Sequence, residues 1–160
     1  MTLFTDLTAE TAAAKASELF DGGYSCAEST LRVLLELYGF EGERLGTAAA
    51  GFGGGVGRLQ SVCGALAGGT IALGLLAGRA AEDPSKTADV VRPAVQRLVK
   101  GFEERFGHMT CGDLVAPFDF RTPGGYDAFK ASNLKQERCH HYVQYVVEVL
   151  AKEAETVALD

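Results

Sequence analysis

The chain contains no C-x-x-C pair and no C-x2–4-C spacing, so the local ligand logic of zinc fingers and zinc ribbons does not apply. Lys and Arg nowhere cluster in groups of five or more, and the net charge is −6, which excludes a nucleic-acid surface of the usual basic kind. Met1 to Phe20 lacks a basic n-region and carries Asp6, Glu10 and Glu18, which argues against a secretory signal. The cytoplasm is therefore the expected compartment, where cysteines stay reduced and are more often catalytic or metal-binding than structural. No register of Gly51 to Gly57 gives G-x-G-x-x-G and no Lys-Ser/Thr follows it, so a nucleotide loop is excluded; no G-x-S-x-G supports a serine hydrolase.

Convincing β alternation is also absent, as are repeats, low-complexity tracts and linkers. What is present is helical almost throughout. A length of 160 residues with 47% hydrophobic content suits one domain over 1–160 with a core that needs no disulfide staples. The expectation is an all-α fold of about six helices around a central Gly/Ala-rich apolar helix. Thr8 to Phe20 forms the first helix and Asp21-Gly22-Gly23 stops it. A second runs from about Cys26 to Tyr38 with Leu31, Leu34, Leu35 and Tyr38 on one buried face. Glu41 to Ala50 makes a short helix. Ser85 to Phe106 makes another, with Pro93 suggesting a start at Arg92 instead, because proline suits a first turn. Pro117 to Gly125 reads as a loop. The last helix spans about Leu134 to Val157, with Cys139, Tyr142, Val143, Val146, Val147 and Leu150 on one stripe.

Leu59 to Gly78 carries no charge and approaches the length of a membrane span, about 20 residues. It includes Gln60, Ser61, Thr70, a cysteine and five glycines, so a buried central helix fits better than stable membrane insertion. The Gly51–Gly57 run reads as a sharp turn with positive φ angles, whose bare N–H groups can donate to sulfur or an anion.

The four cysteines, Cys26, Cys63, Cys111 and Cys139, are spread along the whole chain. Ser25-Cys26-Ala27-Glu28 fits a capping box, placing Cys26 in a first turn where the helix terminus lowers a thiol pKa. Thr110-Cys111-Gly112-Asp113 repeats the arrangement. Cys63 is expected inside the apolar helix, with Gly64 and Gly68 sharing a face that lets another backbone come close. Cys139 opens the last helix beside His140 and His141. Those two point about 100° apart and do not converge as ligands, and a surface role is expected for them and for His108.

Gly23-Tyr24-Ser25-Cys26-Ala27-Glu28, Gly51-Phe52-Gly53-Gly54-Gly55-Val56-Gly57-Arg58, Cys63-Gly64-Ala65-Leu66-Ala67-Gly68, Phe106-Gly107 with Cys111, and then Cys139 follow one another in this order. The series resembles the C_GCAxxG_C_C family of redox-active proteins over about residues 14–150. The resemblance implies a small helical protein with a redox role, whose genes often lie beside transporter genes. A related module in split-Soret cytochromes holds an iron–sulfur centre. Cys26, Cys63, Cys111 and Cys139 are then the redox residues or cluster ligands. The haem sites do not carry over, because C-x-x-C-H is missing. Nothing is carried over to Pro117–Lys130.

Two chemistries stay open for one four-cysteine site. Four converging thiolates suit a [2Fe–2S] cluster or zinc. Alternatively, dithiol–disulfide cycling needs no cofactor and would use Cys26 or Cys111 as attacking thiolate, with Cys26–Cys63 and Cys111–Cys139 the favoured pairs. A non-enzymatic metal-binding or accessory partner, associated with a transporter, and inert core cysteines are the competing readings. The redox partner is unspecified, and the apolar Gly/Ala helix makes a homodimer plausible.

Overall fold

Polar side chains at the helix starts set much of the architecture. Thr8 accepts from the Thr11 N–H while the Thr11 hydroxyl accepts from the Thr8 N–H, a reciprocal box that opens α1 (Ala9–Asp21). The computed structural model describes residues 6–159, with side chains through residue 154; the first five residues of the N-terminal reading lie outside it. Ala12, Ala13, Ala16 and Phe20 line the buried face of α1, which packs on α2 (Cys26–Leu37) and α7 (His140–Leu159). Ser25 and Glu28 form the expected capping box of α2, at 3.2 and 3.0 Å. Leu31, Leu34, Leu35 and Tyr38 are all buried as the spacing predicts, and Gly39 turns the chain at φ 71°.

The short helix expected over 41–50 is present as a 3-10 helix, Glu43–Phe52. Glycines at 42, 46, 51 and 53 weaken α propensity there, and Gly46 lies against the Arg32 side chain, which an added Cβ would approach to 2.6 Å. The apolar helix also begins later than its composition suggests. Val62 pairs in an isolated antiparallel bridge with Thr110, so residues up to Cys63 are not helical and α3 runs Gly64–Ala80. Cys63 is consequently the N-cap of α3, a correction to its expected place inside the helix. No described helix is long and apolar enough to cross a membrane.

α3 is the central element, packed against α2, α7 and α4 (Thr87–Phe106). Its glycines explain the close approach. An added Cβ on Gly68 would lie 2.4 Å from the Ala27 carbonyl oxygen, and one on Gly69 would lie 2.6 Å from Val146. Pro84, rather than Pro93, takes the first-turn role, in a short 3-10 segment (Pro84–Lys86) capped by Asp83. Pro93 sits inside α4 on its exposed side, where water can take the carbonyl that the missing N–H leaves unpaired. Ala94, Leu98 and Phe102 bury the opposite face, and Gly107 ends the helix at φ 84°.

α5 (Cys111–Leu114) and α6 (Gly125–Ala131) are short, and α6 lies just beyond the expected loop. A five-residue π-helical turn, Lys135–Cys139, then leads into α7. Tyr142, Val143, Val146, Val147 and Leu150 are buried along α7 as expected. The fold is all-α; the described residues contain no strand beyond that single bridge.

Candidate functional site

The glycine run builds the floor of the site. Gly54, Gly55, Val56, Gly57 and Arg58 all have φ between 60° and 74°, and Gln60 follows at 59°. Five consecutive left-handed residues coil the chain back on itself: Gly57 N–H donates to the Gly51 carbonyl (2.8 Å), Arg58 to Gly53 (3.1 Å) and Ser61 to Gly55 (2.8 Å). The expected sharp positive-φ turn is thus present, extended through three non-glycine residues.

This coil touches the segments bearing three of the cysteines. Gly53 faces the Ser25 side chain and Gly55 faces Cys111, where an added Cβ would stand 2.7 Å from the Cys111 Cβ. Cys111 N–H donates to Ser61 O (2.7 Å), and Cys63 N–H to Met109 O (2.8 Å). Gly64 lies directly over Cys26, and an added Cβ there would be 2.3 Å from its sulfur. The N-termini of α2, α3 and α5 therefore meet at one place, and the π turn delivers Cys139 to it. The extra residue of a π turn shifts the side chains beyond it around the helix axis, a device common at functional sites.

All four cysteines are free thiols, with Cys63 and Cys111 buried and Cys26 and Cys139 half-buried. Their electrostatics corrects the sequence reading. Burial raises the Cys26 thiol above its ordinary value, against the N–H groups of Gly54, Ala27, Cys26 itself and Gly64, which lower it. Cys111 is pushed to about 12 by burial and then by the Cys26 charge. Cys139 is also raised to about 12, by burial, Cys26 and Cys111, against Lys135 and Arg138. Cys63 is raised well above normal by burial, Cys26 and Cys139; the N–H groups of Ala65 and Leu66 pull it down without closing a capping bond. Helix-terminal stabilisation of a thiolate is real here but loses to desolvation. After burial, the Cys26 charge is the largest influence on each of the other three thiols, so Cys26 is the hub of the set.

The second capping box is only half formed. Thr110 accepts from the Asp113 N–H at 3.3 Å, but the Asp113 carboxylate takes the Thr110 hydroxyl (2.8 Å) instead of its backbone.

Cys26, Cys111 and Cys139 line an open cleft of about 800 Å³. Its opposite wall is aromatic and comes from the segment after Pro117, to which the sequence assigned no role. Phe120, Tyr126 and Phe129 pack ring to ring, with centroids 5.0 to 6.2 Å apart. Buried Gln60 fixes this wall, donating to Phe118 O (3.0 Å) and accepting from Phe120 N–H (2.9 Å). Arg58 lies over the Tyr126 ring at 3.7 Å. The aromatic pair Phe118 and Phe120 was the one sequence signal of a packed segment, but the contact with Gln60 spans some sixty residues of chain.

The histidines divide. His108 and His141 are exposed as expected, with His108 Nδ1 3.8 Å from Asp113. His140 is half-buried, bonded to Asp21 (2.8 Å) and packed on Phe20, so it ties α7 to the end of α1 rather than lying on an open surface.

The sulfurs converge without closing to ligating geometry. Among the described residues, no three His, Cys, Asp or Glu side chains are placed to hold one metal ion. No curated protein and no solved structure matches the chain. One family model does, described as "Putative redox-active protein (C_GCAxxG_C_C)", and its match over residues 24–153 includes all four cysteines and the left-handed coil. The chain belongs to the C_GCAxxG_C_C family.

Proposed function

We propose that the protein is a thiol–disulfide redox protein in which Cys26 is the attacking thiolate and Cys139 resolves the mixed disulfide. The observation that carries this is the position of Cys26 at the cleft, where Gly64 packs directly on its sulfur and where its charge is, after burial, the largest influence on each of the other three thiols. Burial raises all four thiols, but Cys26 alone has four backbone N–H groups lowering it while its charge raises the other three, which favours Cys26 as the first to ionise.

The Cys26 thiolate attacks one sulfur of a substrate disulfide. The substrate S–S bond breaks, and one substrate thiolate leaves with the electron pair. Forming the mixed disulfide removes the Cys26 charge, and with it the repulsion that holds the neighbouring thiols protonated. Cys139 alone among those neighbours has cations, Lys135 and Arg138, favouring its thiolate. It attacks Cys26, closes a Cys26–Cys139 disulfide and releases the second substrate thiolate. Two protein thiols are oxidised and one substrate disulfide is reduced, and the two protein protons go to the departing thiolates.

Anaerobically purified, reduced protein should lose two thiols per two-electron oxidation, with peptide mapping locating the bond at Cys26. Cys26→Ser should abolish formation of this disulfide and retain the helical circular-dichroism signal. Visible absorption with stoichiometric iron would replace this reading with the cluster reading. Thiols that stay inert until the chain unfolds would replace it with the core-cysteine reading.

A further inference from the structure

We propose that the cleft beside Cys26 takes a low-mass disulfide bearing carboxylates, and that Arg58 is the residue that binds the carboxylate. The inference rests on the thiol–disulfide reading above and adds the substrate class to it.

Charge is the first argument. The chain carries a net charge of −6, yet the cleft is lined by Arg58, Lys130 and Lys135 with Glu28 as its one carboxylate. Glu28 is committed to the Ser25 N–H in the α2 capping box. Lys130 is paired with Asp127 at 3.2 Å, and Lys135 lies 3.7 Å from Asp21 while donating to Phe20 O. Arg58 makes no ion pair among the described residues. Its guanidinium is stacked on Tyr126, which leaves the edge N–H groups able to take a carboxylate in the bidentate manner.

Placement is the second. Arg58 is held at φ 61°, a conformation an arginine rarely adopts. Its Cα packs against Gly54, where an added Cβ would be 2.9 Å away, and Gly54 lines the cleft together with Cys26. A single turn of backbone therefore places the cation in the cleft that holds the reacting sulfur. Size is the third argument. A concave cleft of about 800 Å³ walled by Phe120, Tyr126 and Phe129 falls in the range of small-molecule sites, roughly 300–1,000 Å³.

The test compares two aromatic probe disulfides reacting with reduced protein: dianionic dithiobis(nitrobenzoate) and neutral dithiodipyridine. Each rate is divided by that of free cysteine under the same conditions. The anionic-to-neutral ratio should exceed one and fall as salt rises. Arg58→Gly, a residue suited to this backbone conformation, should cut the ratio about tenfold. Arg58→Lys, which keeps the charge, should hold it closer to wild type. An Arg58→Gly protein of normal helicity with the wild-type ratio overturns the assignment while leaving the thiol–disulfide reading standing. If neither probe oxidises a thiol pair in the wild-type protein, that reading fails and this one with it.

Discussion

Gly64 sits so close to Cys26 that the smallest possible side chain would stand 2.3 Å from its sulfur, well inside van der Waals contact. Glycine is needed here for space, because Gly64 does not occupy a left-handed conformation. Gly64→Ala should destabilise the protein by about 1–3 kcal/mol, since an added methyl in a packed interior forces neighbours off their rotamers. Urea unfolding of reduced protein measures this. The same variant should slow the reaction of Cys26 with a small disulfide, because the added methyl must push the sulfur from its place at the cleft. Gly74→Ala, where nothing lies within 4 Å of an added Cβ, is the matched control and should not destabilise.

That contact shows what the sequence made legible. Helix starts were readable because Ser25 and Glu28 are three residues apart and satisfy each other locally, and Gly64 and Gly68 were readable as a close-approach face because four residues make one helical turn. Contributions that depend on distant pairing were not. Val62 pairs with Thr110, and this keeps Cys63 at the cap of α3 instead of inside it. Gln60 holds Phe120 from far along the chain, and the aromatic wall is invisible without that bond. Thiol acidity was misjudged for a related reason. The helix terminus can be read from four adjacent residues, whereas burial by other elements cannot.

Stability should be flat from neutral pH to about 9 and then fall steeply as pH approaches 12. Cys111 and Cys139 are raised from 9.0 to about 12 and Tyr142 from 10.0 to about 12, chiefly by burial. Between those limits the unfolded chain loses protons that the folded chain keeps, so unfolding becomes progressively easier. Thermal or urea unfolding across pH 7–12, under reducing conditions, tests this. Cys111→Ser should flatten part of the decline, because the group that titrates is removed. A curve equally steep in wild type and variant would contradict the assignment.

Val56 is a β-branched residue at φ 63° and 39% exposed, so it is strained and gains little by burial. Val56→Gly should therefore stabilise the protein by about 1 kcal/mol, the relieved strain outweighing the added freedom of the unfolded chain. Val33 is fully buried in α2, and Val33→Gly should destabilise by several times that amount. A denaturant midpoint for Val56→Gly below wild type would mean that the left-handed coil draws support from the valine side chain.

Gln60→Ala removes both hydrogen bonds that pin the aromatic wall, leaving the Phe118 carbonyl and Phe120 N–H without their partner. The expected loss is about 1–3 kcal/mol, set mainly by the unpaired backbone groups. It should be local, because Phe118, Phe120, Tyr126 and Phe129 form a cluster with Cys111, Val115 and Leu134 that is separate from the main core. Limited trypsin digestion reads this locality. Arg121 lies exposed in the wall segment and is braced by Asp119, so cleavage after it should accelerate in Gln60→Ala while sites in α4 stay protected. Uniform acceleration at every site would instead show that Gln60 supports the whole fold. Opening the wall also exposes Cys111 and Cys139 to water, which lowers their pKa by restoring solvation of the thiolates. Both thiols should then alkylate faster at pH 8 in the variant than in the wild type, with buried Cys63 little changed.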